Sequence, residues 1–522
     1  MPRVIARALF LLVLTGVPVF SETPASFAGV EFRLQYLNVH ARRHDVLTYD
    51  FDGDGKIDVF ISSIDFNPPV PERWGAIHLQ RNGGYAEVPD HVLAISDRAC
   101  ALVFGDFLAG AGTEVGYIAE DGVYMHPWTK KGPAEEAVKI IHARTFYRQP
   151  TLRQIPVWQW KMDFTADGLD DLVLPVSEGY RIYFQTAPGV FGKVARLEDD
   201  LSEGVPRAIR PAGYAQALEV ASSTFVSTNE LPRIEPVDIN GDGLIDFALV
   251  RGDTITYFIQ KPKEPGTFLS RPPWRVSYRI PALRDEVRKD SVNLSLIKFV
   301  DINQDRFADL VVTRIEGTLG LWDSIKTRIY IHYGNGKGNF DLATCMAIDG
   351  VSIDPEFIDM NGDGKLDAIT SRLRTDLMKK AVEAFVLGDV PLSYEIWQFD
   401  PGAGTFMTDP VDERRILIAK NDLDKTGAGA VPLVFVRGDL DGDGRPDMVE
   451  VSPKDREVRI YAGREREGAK GKRIGFDGTA HYRISVERHP RALQLLDING
   501  DGVQDVILYY NGAVGLVLSK RA

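Results

Sequence analysis

Asp50-Phe51-Asp52-Gly53-Asp54-Gly55-Lys56-Ile57-Asp58 opens a pattern that recurs along the whole chain. Full copies follow at 238–246 (DINGDGLID), 359–367 (DMNGDGKLD), 439–447 (DLDGDGRPD) and 497–505 (DINGDGVQD). Looser copies stand at 163–171 (DFTADGLDD) and 301–309 (DINQDRFAD), and a degenerate one, DFLAGAGTE, runs from Asp106 to Glu114. The starts are separated by a unit of roughly 57 residues with insertions, a period that belongs to propellers and solenoids.

The flanks place each copy between strands. Position 2 is apolar in every copy: Phe51, Phe107, Phe164, Ile239, Ile302, Met360, Leu440 and Ile498. The residue after position 9 is also apolar throughout: Val59, Val115, Leu172, Phe247, Leu310, Ala368, Met448 and Val506. Short apolar or alternating runs lie on both sides, so each copy reads as a loop joining two antiparallel strands. Further alternating runs, separated by turns such as Asn-Gly, give each unit about four strands. The expected fold is all-β, a propeller of about eight four-stranded blades. After the last loop only two strands remain, whereas Val30–Leu37 alternates before the first loop with no partner. That N-terminal strand is expected to complete the last blade and remove the open edges. A linear solenoid, the alternative, would need capping repeats.

The loop chemistry suits a hard cation. Calcium takes six to eight oxygen ligands, and side chains at alternate positions 1, 3 and 5 of a tight loop converge on one side. Position 7 can add its main-chain carbonyl, and position 9 closes the shell. The candidate ligands are Asp50, Asp52, Asp54, Lys56 (carbonyl) and Asp58; Asp163, Thr165, Asp167, Leu169 (carbonyl) and Asp171; and Asp238, Asn240, Asp242, Leu244 (carbonyl) and Asp246. The next loops offer Asp301, Asn303, Asp305, Phe307 (carbonyl) and Asp309, then Asp359, Asn361, Asp363, Lys365 (carbonyl) and Asp367. The last two offer Asp439, Asp441, Asp443, Arg445 (carbonyl) and Asp447, then Asp497, Asn499, Asp501, Val503 (carbonyl) and Asp505. Together they imply about five to seven calcium ions. The copy at Asp106 has Leu108 and Gly110 at positions 3 and 5 and is expected to bind none. The copy at Asp301 carries Gln304 and Arg306 where Gly is usual, so its turn should be strained.

An EF-hand would need flanking helices and a Glu at position 12. Only the copy at Asp439 has one, Glu450, and strand-like runs flank it. An exposed polar turn would explain Asp and Gly, but not the Asp at position 9 in seven copies. The net charge of −13 is smaller than the number of acidic residues at these ligand positions, so the acidity is metal-site charge.

These loops resemble the FG-GAP/VCBS-type repeats of integrin α-subunit propellers and of exported bacterial proteins. The resemblance rests on φ-D-x-[DN]-G-D-G-x-x-D-φ. It implies calcium in a loop between the first two strands of a blade, and it leaves activity open because the family hosts very different functions.

Arg3 and Arg7 precede an apolar run, Ala8–Phe20, with Val19 and Ser21 suited to cleavage. Residues 1–21 read as a signal peptide and 22–522 as one propeller with insertions near 197–232 and 371–430. The mature chain is expected to be exported to the periplasm or cell exterior with no membrane span. Residues 375–387 within the second insertion carry apolar positions at helical spacing. The two cysteines, Cys100 and Cys345, are expected as buried thiols, a long-range bridge being the alternative. The nine His residues are scattered, and no catalytic motif or basic stripe stands out. The functional expectation is a non-catalytic module binding a protein or glycan, with no nucleic-acid partner. A lyase-like enzyme acting on polysaccharide is the alternative.

Overall fold

In the computed structural model, the residues described are 30–521, apart from 39–42, 67–70, 148–154, 199–232, 252–253, 269–276, 280–290, 319–320, 353–354, 374–389, 419–432, 453–454, 469–470, 511–512 and the single residues 82, 111 and 491. The proposed signal peptide, the helix at 375–387 and most of the insertion at 197–232 lie outside them.

Alternating apolar runs form eight antiparallel four-stranded sheets. Seven use consecutive chain. Blade 1 is Arg43–Tyr49, Asp58–Asp65, Glu72–His78 and His91–Ala94. Blade 7 is Leu433–Gly438, Asp447–Ser452, Glu457–Tyr461 and Tyr482–Ser485. Blade 8 combines Ala492–Leu496, Asp505–Tyr510 and Ala513–Arg521 with the distant Val30–Asn38. The register runs from Val30 opposite Arg521 to Asn38 opposite Ala513. The N-terminal strand thus completes the last blade, as its alternation predicts.

The core lies between blades. Eight clusters of buried apolar side chains each join two neighbouring sheets. One packs Phe51 and Phe60 of blade 1 against Leu102 and Phe104 of blade 2. Another packs Leu37, Ile507 and Leu516 of blade 8 against Val46, Val59 and Ile61 of blade 1. That contact closes the ring and removes the solenoid alternative. Burial of flat apolar faces on both sides of each sheet supplies the main stabilisation. The blade 6–blade 7 junction adds Arg414, whose guanidinium lies 3.7 Å from the Tyr461 ring centroid and 3.3 Å from Glu450.

In every blade the connection from strand 1 to strand 2 is the Asp-rich loop. Because neighbouring strands are antiparallel, the connection from strand 3 to strand 4 emerges on the same face. Among the described residues five of these carry an added two-stranded ribbon, the longest pairing Gly463–Gly468 with Gly471–Phe476. Within 371–430, Val390–Trp397 and Asp412–Ile418 are strands 3 and 4 of blade 6. The rest of that insertion, 374–389 and 419–430, lies outside the described residues. Cys345 is exposed on the outer strand Phe340–Asp349, while Cys100 is buried, and both are free thiols. This corrects the expectation of two buried thiols: Cys345 alternates with buried Met346 and points outward. No described helix is long and apolar enough to cross a membrane.

Candidate metal centres in the blade loops

The backbone of each loop is wound around its first carboxylate. The Oδ2 of position 1 accepts the amide of position 6 in all seven better copies, at 2.7–2.9 Å. In the five full copies its Oδ1 accepts the amide of position 4 at 2.6–2.8 Å. The Oδ1 of position 5 accepts the amide of position 7 at 2.8–3.0 Å, fixing the main chain of Lys56, Leu169, Leu244, Phe307, Lys365, Arg445 and Val503. Such a winding needs left-handed backbone at positions 4 and 6. Gly53 and Gly55 supply it at φ 75° and 83°. The loop at Asp301 meets the same demand with Gln304 at 52° and Arg306 at 78°, so the strain read from its sequence is present. In the loop at Asp163, Ala166 sits at φ 58°, and Thr165 donates its hydroxyl to Asp163 rather than replacing a carboxylate.

Position 9 behaves differently. Asp58, Asp171, Asp246, Asp309, Asp367, Asp447 and Asp505 are all at most 1% exposed. The Oδ2 of each accepts the amide of position 2, at 2.7–3.1 Å. The Oδ1 accepts an amide in the last residues of strand 3 or just past it: Gln80, Gln185, Gln260, Gly334, Phe399, Gly463 or Ser519. The carboxylate therefore clamps the loop to the third strand of its own blade. Burial pushes these groups up, Asp58 to about 6, Asp246 to about 7 and Asp447 to about 8, against the pull of the amides that favour the charged form.

Where position 3 is also Asp, three carboxylates converge. Oxygens of Asp50, Asp52 and Asp58 lie within 4.8 Å of one another, as do those of Asp439, Asp441 and Asp447. Position 5 stands outside both groups. Asn240, Asn303, Asn361 and Asn499 hold position 3 in four other copies, and the Oδ1 of each accepts the amide of position 5. A hard divalent cation needs six or more oxygens at about 2.3–2.6 Å. A trio of carboxylates this close, with repulsion unrelieved by burial, fits that demand. Positions 1, 3 and 9 would supply the first ligands and position 5 the next. Glu450, at position 12 of its copy, faces away: it is buried on the strand and pairs with Arg414 and Arg459.

The loop at Asp106 keeps the hold on position 2 without the cluster. Glu114 is 3% exposed, and its Oε2 accepts the amides of Phe107 at 2.8 Å and Leu108 at 3.3 Å. The loops also touch the neighbouring blade. Thr113 N donates to Asp50 O, Gly189 N to Phe107 O, Leu366 N to Ile302 O and Gln504 N to Asp439 O. Gln260 Nε2 reaches Phe164 O, and Gln80 Nε2 reaches Ile498 O across the ring closure. These cross-blade donors escaped the sequence reading. The available signal was a Gln 14 residues after position 9 in blades 3 and 4.

Comparison with known proteins agrees with the repeat. The family described as FG-GAP-like repeat matches residues 301–370 and 439–508, which contain four of the loops. No curated protein matches the chain by sequence. Among solved structures, an Agrocybe aegerita lectin described as recognising non-reducing terminal N-acetylglucosamine is 13% identical, with a TM-score of 0.40 over 84% of this chain and 93% of that one. The chain is a β-propeller of eight blades carrying FG-GAP-like repeats.

Proposed function

We propose that the chain is an exported, calcium-stabilised propeller that acts as a non-catalytic binding module for a protein or glycan. The observation that carries the calcium part is the convergence of three carboxylates in the loops at Asp50 and Asp439, on a backbone already wound for a cation. Clustered carboxylates repel when empty, so metal binding couples to folding. Export is supported by the charged and apolar N-terminal run. The binding role is supported by a closed ring that presents five ribbons among the described residues on the loop face, since recognition commonly sits on connections held by a rigid scaffold.

Metal content and thermal melting of the mature chain, with and without chelator, test the first part. About five to seven calcium ions per chain, with melting lowered by chelation, is the expected result. No bound calcium and an unchanged melt would overturn it. A panel of glycans and extracellular proteins tests the second part, with residues 374–389 replaced by a short turn as the comparison. New ultraviolet absorbance with uronate polymers would move the chain to the lyase class.

A further inference from the structure

The Oδ2 of the position-5 carboxylate has a donor in most loops; at Asp501 it is Ser519 and the Arg521 amide, and in five others it follows position 3. Asn240, Asn303 and Asn361 each donate through Nδ2 to that oxygen of Asp242, Asp305 and Asp363, at 3.0 Å. An Asp at position 3 has no N–H to give and adds a negative charge. In those two loops a cation stands there instead. Lys56 Nζ pairs with Asp54 Oδ2 in the loop at Asp50. Arg464 Nη1 lies 3.2 Å from Asp443 Oδ2 in the loop at Asp439.

Arg464 is placed by the fold. It follows Gly463, whose amide closes onto Asp447 Oδ1 at 2.9 Å, and it opens the longest ribbon. Its Nε is 3.4 Å from Asp477 Oδ2, and that same oxygen lies 2.7 Å from His481 Nε2. Lys56 comes from within its own loop and is more exposed.

We infer that Arg464 and Lys56 are built-in counter-cations that set the metal affinity of the two double-aspartate loops; this rests on the calcium reading above. In the empty loop the fixed cation offsets the extra carboxylate. When a divalent ion enters, the same cation repels it and holds back one ligand. The affinity of a four-Asp loop is thereby brought toward that of the Asn-bearing loops.

The test is equilibrium dialysis of the full mature chain against buffered free calcium, counting ions per chain, for the wild type, Arg464→Ala, Arg464→Lys and Lys56→Ala. Arg464→Ala should fill one ion per chain at about three- to tenfold lower free calcium, the scale of one partly screened charge beside the site. Its melting temperature without calcium should fall. Arg464→Lys should follow the wild type, and Lys56→Ala should show a smaller shift. A merely structural Arg464 would lower calcium affinity on removal. Filling at the same or higher free calcium in Arg464→Ala overturns the inference while leaving the calcium reading intact. Calcium uptake by none of the proteins overturns both.

Discussion

In blade 7 the loop Asp439–Asp447 brings three carboxylates together and clamps the last of them to two amides. In blade 2 the loop Asp106–Glu114 has Leu108 and Gly110 where the second and third carboxylates would be, yet Glu114 is buried and still holds the amide of position 2. The first loop has both a carboxylate cluster and a clamp to its third strand, and the second keeps only the hold on its own backbone. The last carboxylate of the repeat therefore holds its loop even where the carboxylate cluster is absent.

The hardest blow to that comparison is removal of the clamp. Asp447→Ala and Glu114→Ala each leave two backbone amides without their acceptor in the interior. Each should cost on the order of 2–5 kcal/mol in chemical denaturation in the presence of chelator. If only Asp447→Ala destabilises, the loop of blade 2 is a bare turn and the two loops share no architecture.

A pH series sharpens the same contrast at a site where no metal is expected. Burial pushes Glu114 up to about 7 from its ordinary 4.5, with nearby Asp106 adding to the rise. Between these values the folded protein holds a proton that the unfolded chain releases. The contribution of this group is complete below pH 4.5 and is lost as pH rises through 7. In chelator, Glu114→Gln should therefore gain on the wild type by on the order of 2 kcal/mol between pH 4.5 and pH 8. A constant difference across the range would mean that Glu114 is charged in the folded ring.

The smallest effect concerns the strained loop of blade 5. Arg306→Gly relieves a side chain held at φ 78° without touching a carboxylate. It should stabilise the protein by about 1 kcal/mol, read from the denaturation midpoint. Destabilisation would show that the Arg306 side chain contributes more than its backbone costs.

Much of this was legible before any coordinates. The period, the apolar positions 2 and 10 and the unpartnered run at Val30–Leu37 specify blades, loop placement and closure, because each follows from strand periodicity. The clamp was hidden because an Asp that accepts two amides and an Asp that binds calcium are the same letter; Glu114, retained where Leu108 and Gly110 stand, was the one clue. The ties between loops were hidden for another reason. Gln80 and Ile498, or Thr113 and Asp50, meet only once the ring has formed. Glu450 illustrates the converse, since its spacing suited a ligand while its strand turned it toward Arg414.

The closing strand also has a mechanical meaning. Val30 and Arg521 sit opposite each other at the same end of an antiparallel ladder that runs to Asn38 and Ala513. A pull that separates these two residues loads the ladder from that end, one pair after another, instead of sharing the force among all of them. Tension across the two ends would thus peel the ring open at its seam, while a load applied elsewhere on the rim meets sheets made of continuous chain.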